Sequence, residues 1–204
     1  MERRSTTGRP LTAAQQHTVQ LLMDRGAASG LKEQDASLVV RYMRPRRYAA
    51  DTVIERAGVR RDNPEMALVL SGEVCIETEN AGGDRLVLTI YGPGDLFGEM
   101  SLIDGEAPAA TCLAVTDVVV ASLSRSGLKR LIKERPGVAM RLLMTVTRCI
   151  VKKLRQTNKK LVMVTSVGRA QQHELDAVHS ANQQLLDRIG VLKRESGPGG
   201  QSGF

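Results

Sequence analysis

The spacing of apolar residues changes twice along the chain. From Leu11 it is helical, with Val19, Leu22 and Met23 on one face up to Gly26. Thr12 is placed to cap that helix. A second helix is predicted over residues 32–43, with Leu38, Val39 and Tyr42 on one side. Pro45 and the cluster Arg44, Arg46, Arg47 end it, as a solvated helix exit or as a contact to an acidic partner. From Tyr48 the period becomes two. Short strands are predicted at 52–54, 66–70, 74–78, 86–90, 111–115 and 118–123, with turns at 71–73 and 80–84. Closely spaced strands of this kind fold as an antiparallel sandwich or barrel. Ser126 reads as the cap of a further helix through Leu128, Leu131 and Ile132, and Pro136 breaks it and starts another.

From Val138 the helical period continues for more than fifty residues, with one weak point at Gly168. One heptad row is Leu154, Leu161, Gly168, Leu175, Asn182 and Ile189. The row three residues on is Thr157, Val164, Gln171, Val178, Leu185 and Leu192. Eight of these twelve are apolar, so a coiled coil is predicted, seamed by Leu154, Leu161, Val164, Leu175, Val178, Leu185 and Ile189. Asn182 at a core position suits a two-stranded pairing. The competing reading is an amphipathic helix folded back on its own barrel. The implied order is a disordered start (1–10), helices (11–47), a β-barrel (48–136), a long helix (137–194) and a loose tail (195–204).

Residues 92–114 carry the candidate chemistry. Gly92, Gly94 and Gly98 fall within seven residues around Pro93, which reads as a tight turn. Residues 97–103 follow, long enough for one or two helical turns. A loop entering a short helix offers unpaired N–H groups to an anion, and Glu99 can accept from sugar hydroxyls. The run Gly-Pro-Gly-Asp-Leu-Phe-Gly-Glu-Met-Ser-Leu-Ile, followed by Ala-Ala-Thr and a strand, resembles the phosphate-binding cassette of the cyclic nucleotide-binding domains. The resemblance covers residues 42–158, and the run at 70–76 matches that family's hairpin. It implies an α+β fold: an antiparallel jelly-roll barrel flanked by N-terminal helices and followed by a long C-terminal helix. It also implies that Gly98 and the backbone of Glu99, Met100 and Ser101 meet a cyclic phosphate, and that Glu99 accepts from the ribose. Thr157 and Asn158 would contact the purine, and Thr111 is a weaker candidate. There is one departure. The family's phosphate-pairing arginine falls on Pro108, and its small contact residue on Ala109, before Ala110. No lysine or arginine stands between Arg85 and Arg125.

Charge sharpens that departure. Residues 51–124 carry a net −9, whereas residues 125–160 carry +11. The only cations of the acidic segment, Arg56, Arg60, Arg61 and Arg85, are predicted in surface turns. The basic helix is either a solvated face or a non-specific contact to phosphate backbones or anionic lipid. Aromatic residues are 2% of the chain, which argues against stacking on single-stranded nucleic acid.

The three cysteines, Cys75, Cys112 and Cys149, read as buried free thiols. No run of 18 apolar residues and no apolar leader occurs, so a cytoplasmic protein without a transmembrane span is expected. No metal spacing, P-loop or nucleophile elbow occurs, and His17, His173 and His179 lie outside the barrel, so catalysis and metal binding are not expected. Residues 161–195 continue as a helix, so a DNA-reading helix-turn-helix is not expected either. Three functions follow. The first is a homodimeric regulatory module that senses cyclic AMP or cyclic GMP and signals to a partner protein. The second is a scaffold of the same fold with an empty site. The third is non-specific nucleic-acid association through the basic helix.

Overall fold

The computed structural model describes residues 10–24, 31–80 and 82–195, without the side chains of residues 24, 170 and 185–195. Two compact units result, Met1–Lys152 and Lys153–Phe204.

In the first unit, α1 (Ala13–Asp24) starts at Thr12. The Thr12 hydroxyl accepts from the Gln15 N–H at 3.3 Å, and the Gln15 amide oxygen accepts from the Thr12 N–H at 3.1 Å. This reciprocal pair satisfies two of the N–H groups a helix start leaves open. The next helix, α2 (Glu33–Val40), is shorter than predicted. The chain turns through Arg41–Tyr42 straight into a strand, β1 (Arg44–Tyr48). The arginine cluster is therefore an edge strand and not a helix exit. Pro45 is tolerated there because an edge strand can spare an N–H.

Two four-stranded antiparallel sheets follow. One has the order β1, β8 (Val118–Ser124), β3 (Glu65–Ser71), β6 (Leu96–Phe97). The other has β2 (Val53–Glu55), β7 (Thr111–Ala114), β4 (Val74–Glu79), β5 (Arg85–Tyr91). The period of two decides the layers. Ala67 and Val69 of β3, with Val118 and Val120 of β8, join Ile54, Val74, Ile76, Phe97 and Ala114 in one core. Met66 and Leu68 of β3, with Ala121 and Leu123 of β8, pack into a second core with Val39, Leu131, Leu142 and Val146 of the helices. Buried on both faces, β3 and β8 read as continuous apolar runs. The apolar strand β5 stands at a sheet edge instead, and its Leu86, Val87 and Ile90 are more than half exposed.

The short helix α4 (Arg125–Glu134) is capped by Ser124, whose hydroxyl accepts from the Gly127 N–H at 3.2 Å; the expected cap, Ser126, lies inside the helix. The long helix α5 begins at Pro136, where a missing N–H costs nothing, and runs to Glu195 without a break at Gly168. Cys75, Cys112 and Cys149 are buried and form no disulfide. No helix among the described residues is long and apolar enough to cross a membrane.

A bidentate ion pair ties α2 to the start of α5. Arg141 Nε and Nη2 donate to the two Asp35 oxygens, each at 2.7 Å. Those bonds hold the Asp35 carboxyl below its ordinary pKa, against the desolvation that pushes it up. A lowered carboxylate pKa contributes stability above the unfolded value, near 3.8, that is lost as pH falls through the folded one. Arg141→Ala and Asp35→Asn are therefore expected to melt below wild type at neutral pH. The gap should close in acid, and thermal melts across pH check it.

The second unit contains the rest of α5. Leu154, Leu161, Val164, Leu175 and Val178 are each more than half exposed there, as are Val162, Met163 and Val167. Leu185 and Ile189 lie outside the described side chains, and the two predicted disordered ends fall almost wholly outside the described residues.

Candidate functional site

Residues 92–111 form a turn, a two-residue strand, a short helix and a loop, the first three laid against β3. The Gly92 N–H donates to the Asp95 carboxylate at 3.0 Å and the Gly92 carbonyl accepts from the Asp95 N–H at 3.0 Å. Val69 fastens this turn from β3: its N–H donates to the Asp95 carbonyl, and its carbonyl accepts from the Gly94 N–H at 2.8 Å. Gly94 has a φ of +90°, but Gly92 does not need its freedom. Then β6 pairs with β3 through Ala67↔Phe97 and Leu68↔Leu96.

Gly98 follows with a φ of +74° and caps helix α3 (Glu99–Asp104). A Cβ there would run into the Glu65 carbonyl oxygen and would stand 3.5 Å from Glu55 Oε2. Only glycine fits, for both reasons. Glu99 and Ser101 are buried at the head of α3, whereas the Met100 side chain is more than half exposed.

The returning segment is held by the loop after β2. The Gly58 N–H donates to the Pro108 carbonyl at 2.9 Å, and the Ala57 N–H to Thr111 Oγ1 at 3.1 Å. Thr111 thus has a partner in this loop. Ala109 is exposed, and Pro108 and Ala110 are half-buried. Thr157 and Asn158 lie in the second unit, both exposed on α5, with Thr157 Oγ1 donating to the Lys153 carbonyl at 3.0 Å.

Two residues not singled out from sequence belong to this site. Glu55, at the end of β2, is 4% exposed. The β2–β7 register shifts between Val53 and Glu55, so Ile54 and Glu55 both turn inward. Arg61 turns back toward it: one guanidinium nitrogen lies 3.9 Å from Glu55 Oε1 and another donates to the Ile54 carbonyl. Arg61 thus sits in an exposed loop, as its predicted surface turn has it, while its guanidinium reaches back onto Glu55. Glu55 is also faced by Glu65 of β3, Glu99 of α3 and, at 4.0 Å, Cys112 Sγ of β7. Burial pushes its carboxyl above the usual range, Arg61 opposes that, and Glu65 and Glu99 add to it. Arg85 pairs with Glu77 at 3.8 Å and Arg46 with Glu65 at 3.0 Å. No group of three or more His, Cys, Asp or Glu among the described residues is arranged to hold a metal.

The site can offer N–H groups at a glycine-opened helix start, buried carboxylates for hydroxyl donors, and one guanidinium already engaged by a carboxylate. Residues 45–135 match the family described as "Cyclic nucleotide-binding domain". The chain is 32% identical over 136 residues to the cyclic AMP receptor protein of Thermus thermophilus, covering 67% of this chain and 60% of that one. It is 27% identical over 142 residues to a CRP-like cAMP-activated global transcriptional regulator of Mycobacterium tuberculosis, covering 70% and 61%. The crystal structure of the Thermus thermophilus catabolite activator protein superposes with a TM-score of 0.60 at 28% identity, over 69% of this chain and 63% of that one. The chain thus spans about three fifths of the length of the curated relatives it matches.

Proposed function

Because residues 45–135 belong to the cyclic nucleotide-binding domain family, we propose that this chain is a regulatory module whose barrel takes a cyclic nucleotide and whose long helix passes the bound state to a partner. The observation that carries this is Gly98. Its left-handed φ and the closeness of the Glu65 carbonyl leave its α-carbon bare at the head of a helix with no side-chain cap. A phosphate accepts there from backbone N–H groups, and Glu99 takes the ribose hydroxyl. Gly98, Glu99, Ser101 and the Pro108–Ala110 segment are the proposed contacts; Met100 contributes its backbone.

Titration calorimetry with cyclic AMP, cyclic GMP and cyclic dinucleotides tests it. Heat at micromolar to millimolar ligand supports the reading, and silence from wild type and from Pro108→Arg rejects it. One observation favours the scaffold alternative: Glu55, Glu65 and Glu99 lie together and Pro108 brings no charge. That reading expects Glu99→Ala to leave function intact.

We further propose that α5 self-associates through Leu154, Leu161, Val164, Leu175 and Val178, whose exposure costs hydration in a lone helix. The double change Leu161→Lys, Leu175→Lys removes four leucines from a dimer. At about 1.5–3 kcal/mol for each fully buried side chain, dimer dissociation is expected to rise roughly ten-thousandfold or more. Sedimentation against concentration reads this, and a wild type that stays monomeric overturns it.

A further inference from the structure

We infer that Arg61 is the cation that meets an anionic ligand at this site, and that Glu55 is an internal counter-ion from which the ligand must take it. This rests on the reading of the cassette as a nucleotide site.

The geometry is specific. The cassette itself has no basic side chain, and Pro108 stands where the resemblance expects one. The loop after β2 lies against that segment. It is fixed to the cassette on both sides of Ala109, by Gly58 to Pro108 and by Ala57 to Thr111. Arg61 comes off this loop and aims its guanidinium inward. The Glu55 carboxylate spans the interval: Oε1 faces Arg61 and Oε2 lies 3.5 Å from the position of a Cβ on Gly98. Glu55 thus puts a negative charge beside the glycine that would meet a phosphate.

At 3.9 Å the Glu55–Arg61 contact is an ion pair without a short hydrogen bond, and the Arg61 side chain keeps 45% of its exposure. An arginine fork gains more from a phosphate, which it can engage through two parallel bonds. The exchange leaves Glu55 buried without its counter-charge, next to Glu65, Glu99 and the Cys112 thiol. Protonation relieves that cost. Burial already favours the protonated form of Glu55, above its ordinary value near 4.5. Anion binding is therefore coupled to proton uptake: it tightens as pH falls toward the carboxylate range and weakens as Glu55 ionises.

Calorimetry with cyclic AMP on wild type, Arg61→Gln, Glu55→Gln and Pro108→Arg, at about pH 5.5 and about pH 8, tests this. Arg61→Gln is expected to weaken binding roughly 30-fold or more. Glu55→Gln should tighten it roughly tenfold at the higher pH and remove the pH dependence. Thermal melts confirm that each variant is folded. Equal affinity in Arg61→Gln and wild type, or weaker binding in Glu55→Gln, overturns the inference. Binding by Pro108→Arg with none by wild type overturns it too, and leaves the cassette reading standing. Silence from all four proteins defeats both.

Discussion

Pro108→Arg is expected to tighten cyclic AMP binding by roughly 30-fold and up to several thousandfold. The range corresponds to about 2–5 kcal/mol, the cost of removing one member of a buried, hydrogen-bonded charge pair elsewhere. The lower end is the firmer expectation. An arginine at 108 is held in place by an existing backbone bond, because the Pro108 carbonyl already accepts from the Gly58 N–H at 2.9 Å and keeps that role after substitution. It starts from a half-buried position two residues after Glu106, in a site that also holds Glu55, Glu65 and Glu99. Those carboxylates compete with the ligand for the new guanidinium, which trims the gain. The measurement is calorimetry of the variant and wild type at equal salt. No change in affinity would show that the phosphate does not lie against this segment.

Gly98→Ala is expected to cost about 3 kcal/mol of folding stability and to abolish ligand binding. An alanine in the left-handed region costs about 1–2 kcal/mol by itself. The remainder comes from contact with the Glu65 carbonyl, a backbone atom at the first residue of β3 that cannot swing aside. Any relief by shifting β3 disturbs Met66, which is 1% exposed in the helix-side core. Gly58→Ala is the control. Gly58 also has a positive φ, of +73°, but nothing lies within 4 Å of its missing Cβ, so only the strain remains. Thermal denaturation of the two variants separates crowding from backbone strain. Equal losses would show that the Glu65 carbonyl yields. Loss of binding in a Gly98→Ala protein that still melts cooperatively would assign the glycine to the ligand as well as to the fold.

Much of the cassette is readable before any coordinates. The glycine spacing and the acceptor Glu99 are legible in residues 92–111 from local turn chemistry, and the missing arginine from the resemblance. Chain order even hides little of the barrel, since alternation within each strand sorts Met66 and Leu68 from Ala67 and Val69. The misplacements have physical causes. Arg44–Tyr48 carries too little apolar content to register as a strand, and forms one because β8 offers it a partner from Arg44↔Ser122 to Tyr48↔Val118. The apolar run Leu86–Ile90 is indistinguishable in sequence from a buried strand, yet stands at an edge. Ser124 outranks Ser126 as a cap only because β8 runs to Ser124 before the helix begins.

Sequence alone determined the local frame: two periodicities, the breaks between them, the bare glycine at the head of a short helix and the absence of a cationic side chain beside it. These depend on neighbours a few positions apart, so they are written in order along the chain. The tertiary structure decided where the charges fall. In an unbroken strand Glu55 would share the exposed face of Val53, and Arg61 would be one of several cations in a polar loop. The register shift against β7 turns Glu55 inward, and two bonds from that loop to Pro108 and Thr111, fifty and 54 positions away, bring Arg61 in after it. A one-residue slip in pairing reverses which face a side chain occupies, and no local preference records it.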